Sequence, residues 1–325
     1  MPEAETQRDP PIPPIPDGLR YAAERGGLVL FIGAGVSRLC GSPSWDQFAD
    51  SVFAQLSKNG DVSFAELEQL KTIRDPRKKL SIAADIAKVS EVELDYDAIL
   101  HPTKQRPDGV SVYGSLAAIG SVFVTTNYDK WLDDATVPAA NIGQGQPDVS
   151  IAQSPPKRAS YYEPETLTVE KLELPGAVLH LHGSYRNPER MVITTSDYIR
   201  HYENPFITKF LLDLFQKKTV LFIGYGLEEL EVLEYIVGKN QVSRSEDEAN
   251  HYILFPTMSH EHMLSKHLRT YFKSHCGVNV IGYNIDRFGY RQLCEVLNDW
   301  STVLRVKAPA YIDKLHLIDE ALRAS

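Results

Sequence analysis

Cysteine is scarce in this 325-residue chain, where only Cys40, Cys276 and Cys294 occur and no two form a C-x-x-C pair. That set cannot supply a four-thiolate zinc ribbon, and an odd number argues against a disulfide framework, so a reducing compartment is expected. Basic charge is also in deficit. Lys and Arg number 34 against 43 Asp and Glu, and the net charge of −9 argues against nonspecific nucleic-acid binding. There is no run of about 20 apolar residues to span a membrane. The N-terminus is acidic and proline-rich, where a secretory leader would be basic and then apolar. These absences give the expectation of a cytoplasmic globular protein with no membrane contact, and 43% hydrophobic residues suffice for a sizeable core.

What is present is a series of short apolar runs separated by helical patterns. Runs at 28–32, 121–125, 177–182, 219–223, 251–256 and 278–283 read as strands. Helical spacing falls at 17–26, 45–56, 64–101 with a break near Pro76, 111–119, 204–217, 227–238, 258–273 and 288–304. Strands that alternate with helices imply an α/β fold, a parallel sheet with helices on both faces. Three segments stand apart. Residues 1–16 form a proline-rich arm, with packing on a partner and ordinary packing as its two readings. Residues 135–175 read as an insertion or loop-rich subdomain. Residues 306–325 form a helical tail after a main domain of 17–305.

Ligands of open parallel sheets bind beyond the carboxyl ends of the strands. Those ends carry Gly33-Ala34-Gly35-Val36-Ser37, Thr126-Asn127-Tyr128-Asp129, His182-Gly183-Ser184 and Gly224-Tyr225-Gly226. In the first, one glycine permits a tight turn and the second lets a pyrophosphate approach the main chain, although Arg38 stands where a third glycine would complete G-x-G-x-x-G. Asn127 offers one acceptor and two donors to a hydroxyl or water, and His182 titrates in the range of a general base. Asp129 is either a turn residue or an electrostatic aid. His180 and His182 lie two apart and would share a strand face, which suits either a pair of metal ligands lacking a third or a packing role for His180. Tyr225 is either a stacking ring or core. Cys40, with no histidine near it in sequence, reads as a small buried filler.

The ordered set GAGVS, TTNYD, HLHG and FIGYG resembles the SIR2 family, and most of all its bacterial SIR2-like branch in anti-phage defence. The resemblance spans roughly residues 17–304. It implies a Rossmann-like fold acting on NAD+ as substrate. It places Gly33, Ala34, Gly35 and Ser37 at the pyrophosphate, Thr126, Asn127 and Asp129 near the nicotinamide ribose, His182 in catalysis, and Gly224, Tyr225 and Gly226 on the adenosine side. Asn284 is expected at the adenine ribose. The deacylases of the family carry a four-cysteine zinc module, yet no cysteine lies between Cys40 and Cys276 here, so no zinc is expected and water replaces an acyl-lysine as acceptor. The expected function is therefore NAD+ hydrolysis to nicotinamide and ADP-ribose as a defence effector. An NAD or ADP-ribose sensor and an ADP-ribosyltransferase are the rival readings. Control by homo-oligomerisation, or by a separately encoded HerA-type ATPase or short Argonaute, completes the set of expectations.

Overall fold

The computed structural model describes residues 10–101, 107–135, 158–226 and 251–307. Its centre is a seven-stranded parallel sheet. The strands are β1 (Leu28–Ile32), β2 (Phe123–Thr125), β3 (Ala159–Tyr161), β4 (Ala177–His180), β5 (Thr219–Ile223), β6 (His251–Thr257) and β7 (Val278–Asn284), in the spatial order β3-β4-β2-β1-β5-β6-β7. β1 lies at the middle, where the winding reverses: β2 pairs on one side and β5 on the other. That reversal is the switch point at which the carboxyl ends of neighbouring strands diverge.

The apolar run of β1 is continuous because both of its faces are covered. Leu28, Leu30 and Ile32 enter one core with α1 (Asp17–Glu24), α2 (Ala34–Cys40), α7 (Pro107–Ile119) and α12 (Gln292–Val303). Val29 and Phe31 enter a second core with α10 (Pro205–Lys217), whose Ile207, Phe210, Leu211 and Leu214 recur at helical spacing. Asn204 caps α10 by accepting from the Phe206 N–H at 2.9 Å, and Pro205 fits the first turn, which needs no N–H there.

A third core belongs to helices α3 (Trp45–Asn59), α4 (Phe64–Lys71), α5 (Pro76–Val89) and α6 (Tyr96–Leu100), inserted between α2 and α7. Ser44 and Gln47 form a capping box at the start of α3. Inside this module Lys79 is 1% exposed, and its Nζ reaches Asp46 at 2.7 Å and Asp50 at 2.8 Å. Tyr128, Met191 and Ile193, from loops at the sheet's carboxyl edge, complete the third core, so the module sits over that edge.

The sequence expectations hold for six strands and are corrected elsewhere. The described part of the segment read as 135–175 packs against the sheet. Residues 158–175 supply edge strand β3 and bury Leu167, Val169 and Leu172 in the second core. Helix α9 (Thr195–Glu203) had no counterpart in the sequence reading. The third strand ends at His180, two residues short of the expected limit, where the chain turns through Gly183 at φ +83°. Of the proline-rich arm, residues 10–16 lie against the chain's own first core: Ile15 is buried and the Trp300 indole N–H donates to the Pro13 carbonyl at 2.9 Å. Residues 1–9, most of the insertion, the helix expected at 227–238 and the tail from 308 lie outside the described residues.

Replacing Lys79 with Met keeps the methylenes and removes the ammonium. Asp46 and Asp50 reach solvent, so they rehydrate, and the loss of two charge-assisted bonds is expected to cost about 1.5–3 kcal/mol. Urea unfolding followed by Trp45 fluorescence checks this; an unchanged midpoint refutes the assigned role.

Candidate functional site

Two glycine turns meet at the centre of the sheet. The Gly33 N–H donates to the Ile223 carbonyl at 2.9 Å, and the Gly35 N–H to the Gly224 carbonyl at 2.8 Å. A Cβ on Gly33 would lie 2.7 Å from the Gly224 oxygen and 2.7 Å from the Tyr225 ring, and one on Gly35 would lie 2.7 Å from the same oxygen. Gly224 has φ +75°, and a Cβ there would meet the Val36 nitrogen at 2.7 Å. Gly33 itself has φ −104°, which any residue adopts. The two glycines of the first turn are therefore required by loop-on-loop contact, a different reason from the tight turn and phosphate approach expected of them.

Asn127 follows β2 and is 6% exposed. Its Nδ2 donates to the Gly33 carbonyl at 3.1 Å and to Ser37 Oγ at 2.8 Å. The Gly33 carbonyl can only accept, which fixes the orientation of the amide. Oδ1 then points away, buried and without a hydrogen-bond partner. A buried acceptor in that condition is costly unless something donates to it.

Ser37 is the hub behind this amide. It donates to Asp129 Oδ2 at 2.5 Å and accepts from Asn127, so the Tyr113 hydroxyl at 3.1 Å is the donor of that pair. Asp129 Oδ1 accepts from the Trp131 N–H at 3.2 Å. Burial raises the Asp129 pKa, against the opposing pull of the Ser37 hydrogen bond. Both carboxylate oxygens are thus engaged inside the protein.

The two histidines diverge although they lie two apart. His180 is fully buried; its Nδ1 donates to the Asn127 carbonyl at 3.0 Å and its Nε2 to Asp133 Oδ1 at 3.1 Å. Burial opposes the imidazolium, but the Asp133 hydrogen bond and charge outweigh it, and the His180 pKa is raised. Burial also opposes the Asp133 charge, but His180 and Ser160 hold that carboxyl below its ordinary range. His182, beyond the strand end, turns to α9 instead. Its Nε2 lies 2.7 Å from the Tyr202 hydroxyl, and its ring meets Tyr198 at 5.2 Å and His201 at 5.5 Å between centroids. Burial, then the charge of His201, drives its pKa well below the ordinary value, so the ring is neutral near pH 7. The divergent partners rule out a shared metal site for this pair, and among the described residues no group of three His, Cys, Asp or Glu is placed to hold a metal.

The register puts Asn127 and His182 just beyond the ends of two adjacent strands. Thr125 pairs with His180 across β2 and β4, so both residues stand two positions beyond that pair on adjacent strands. The other expected residues are distributed differently. Ala34 begins α2 directly after the first turn. Thr126 Oγ1 lies 2.8 Å from the Tyr225 hydroxyl, while the Tyr225 ring packs edge-on against Phe31 and Phe222 in the second core. The ring is 3% exposed, which favours the core reading of Tyr225 over the stacking one. Gly226 is exposed. Asn284 ends β7 at the sheet's edge, and its amide is committed to Ser259 and Asp286, so it does not join the cluster at β1, β2 and β4. Cys40 is buried, and burial pushes its thiol pKa up to about 12, so it is no nucleophile. Sequence reasoning missed Tyr198, His201 and Tyr202, which come from α9 at one-face spacing i, i+3, i+4. The signal was there in Thr194 and Asp197, a capping pair ahead of those rings.

Residues 121–281 match the family model described as a SIR2-like domain. That segment contains Asn127, Asp129, His182, Tyr202 and Gly224. Defense-associated sirtuin 2 of Bacillus subtilis is 26% identical over 221 residues, covering 65% of this chain and 19% of that protein. NAD(+) hydrolase ThsA of Cytobacillus dafuensis is 25% identical over 240 residues, covering 72% of this chain and 42% of that protein. The chain thus spans less than half the length of either relative.

The His180–Asp133 pair makes a signed prediction. A raised histidine pKa gives stability that is full below the unfolded value, about 6.5, and lost as pH rises through the folded one. A lowered carboxyl pKa gives stability present above the unfolded value, about 3.9, and lost as pH falls through the folded one. The stability difference between wild type and Asp133→Asn is therefore expected to peak between these limits and shrink on either side. Denaturant melts at stepped pH measure it, and a pH-independent difference would show that the pair is not charged.

Proposed function

We propose that this chain, whose residues 121–281 match a SIR2-like domain, hydrolyses NAD+ to nicotinamide and ADP-ribose. The observation that carries the reading is the buried, partnerless Oδ1 of Asn127, just beyond the end of β2, with His182 just beyond the end of the adjacent β4. A hydroxyl or a water is the donor such an acceptor requires. The curated name of one relative, NAD(+) hydrolase, supports the choice of substrate.

The chemistry asks little of a general acid. Nicotinamide leaves a cationic N-glycosidic bond as a neutral base, taking the bonding electron pair with it. The ribose carbon then has oxocarbenium character, as in glycoside hydrolysis. Asn127 Oδ1 accepts from the attacking water or from a ribose hydroxyl and so orients it. As the water oxygen bonds to the ribose carbon, its proton passes to His182, whose neutral imidazole is the form that accepts a proton when a ring nitrogen is free. Asp129 acts through Ser37 as a positioning residue: it holds the hydroxyl that holds the Asn127 amide. Gly33, Ala34, Gly35, Thr126, Gly224 and Gly226 supply the backbone and hydroxyl edge against which the dinucleotide would lie, with Ser37 behind it.

In this reading the protein is a defence effector that depletes NAD+, a role supported by its resemblance to a defense-associated sirtuin. Such an activity must be silent until triggered, which calls for control by self-assembly or by a separate protein, with a HerA-type ATPase favoured over a short Argonaute. A cytoplasmic setting is consistent with the described helices, none of which is long and apolar enough to cross a membrane.

Purified protein incubated with NAD+, alone and with its co-encoded neighbours, should release nicotinamide and free ADP-ribose. Asn127→Ala is expected to lower turnover by about 10²-fold or more while leaving the thermal midpoint nearly in place. Label transferred to macromolecules would replace hydrolysis with ADP-ribosyl transfer, and bound but intact NAD+ would make the protein a sensor. Full activity in Asn127→Ala would overturn the assignment.

A further inference from the structure

The partner of His182 constrains what that histidine can do. Among the described residues, the Tyr202 hydroxyl has one hydrogen-bond partner, His182 Nε2 at 2.7 Å, and His182 Nδ1 has none. A phenol withdrawn from water must direct its proton at an acceptor, and Nε2 is the acceptor within reach. Burial keeps the phenol protonated by pushing its pKa above the usual value, and burial with His201 keeps the imidazole neutral. A neutral imidazole has one proton and one ring lone pair. If Nε2 accepts from Tyr202, the proton resides on Nδ1 and no lone pair remains for a substrate. This assignment follows from hydrogen-bond accounting over both ring nitrogens.

We propose that Tyr202 is a latch on the site: its hydroxyl occupies the basic nitrogen of His182, and the histidine can accept a proton only once Tyr202 has moved away. The inference rests on the role proposed above for His182 and adds a means of keeping the enzyme silent.

The mounting of α9 suits such a device. At its start, the Thr195 N–H donates to Ser81 Oγ on α5 at 2.9 Å, which ties α9 to the helical module. At its end, Thr208 Oγ1 on α10 donates to the Tyr202 carbonyl at 3.2 Å. The latch residue thus sits between the helical module and a helix of the second core. Ser81 and Thr195 thus connect the module to the helix that carries Tyr202. Around the imidazole stand Tyr198 and His201 from α9, and Arg77 of α5 lies over the Tyr198 ring at 5.7 Å. The hydrogen bond that holds the ring is that of Tyr202 to Nε2.

Tyr202→Phe removes the hydroxyl and keeps the ring. Two readouts are needed. In protein carrying 15N-labelled histidine, wild-type His182 should show a protonated Nδ1 and an acceptor Nε2, and Tyr202→Phe should show exchange between tautomers. In parallel, NAD+ cleavage by the chain alone should rise in kcat by about tenfold or more, with KM within about twofold, and should vanish when His182→Ala is added. A proton on Nε2 in the wild type would overturn the latch. So would a Tyr202→Phe protein whose cleavage falls, the result if the phenol serves turnover, or stays unchanged. Should that variant not fold, the wild-type nitrogen signals decide by themselves. If NAD+ stays intact in every protein while the tautomers shift as expected, the hydrolase reading fails and the hold of Tyr202 on the nitrogen stands.

Discussion

The contact between the two glycine turns at the ends of β1 and β5 is the constraint on which the site depends. It leaves no room for a single Cβ at Gly33, Gly35 or Gly224. The contact fixes the Gly33 carbonyl, and that carbonyl receives one of the two N–H bonds of the Asn127 amide. The other goes to Ser37, on the helix that leaves the same turn. An amide so held has one atom to spare, and that atom is the buried acceptor facing the carboxyl edge. The site's most specific feature is therefore a consequence of backbone packing at the switch point of the sheet.

Around this point the protein sets two histidines, two residues apart, in surroundings that shift their pKa values in opposite directions. His180 lies inside the sheet with a carboxylate at one nitrogen and a carbonyl at the other, and both partners favour an imidazolium. His182 lies past the strand end among aromatic rings and a second histidine, and its surroundings favour the neutral form. His180 braces the loop that carries Asn127 through the Asn127 carbonyl, and His182 is the one proposed to do chemistry. Strand alternation would have placed both on one face. The turn through Gly183 breaks that alternation, which separates a structural imidazole from a reactive one.

The helical module and α9 link the site to the rest of the molecule. Tyr128, one residue after Asn127, is buried in the module's core, and its hydroxyl donates to the Val192 carbonyl at 2.6 Å. His101, at the end of α6, accepts from the Lys130 N–H at 3.1 Å. The post-β2 loop is thus clamped from the module's side at Tyr128 and Lys130, while α9 is hung from the same module through Ser81. Whatever moves the module acts on both halves of the site.

Strand ends, helix type and the residues with ligand chemistry were legible from the sequence, because continuous apolar runs and their terminal glycines, asparagines and histidines are local properties of the chain. The parallel α/β fold and the placement of Asn127 and His182 just beyond strand ends followed from them. Three things were not local. The service of Gly33 and Gly35 to a second loop depends on a residue nearly two hundred positions away, and no spacing within the first turn reports it. The distance of Asn284 from the cluster at β1, β2 and β4 depends on strand order, which places β7 at the edge. The environment of His182 depends on α9, a nine-residue helix of mixed polar and aromatic residues whose pattern is weak until it is packed. Sequence by itself thus determined which side chains stand at the ends of strands, since periodicity and turn chemistry are written along the chain. Only the tertiary structure decided which of them meet, which ring nitrogen is taken and which acceptor is left over, since hydrogen-bond partners and desolvation arise from contacts across the fold.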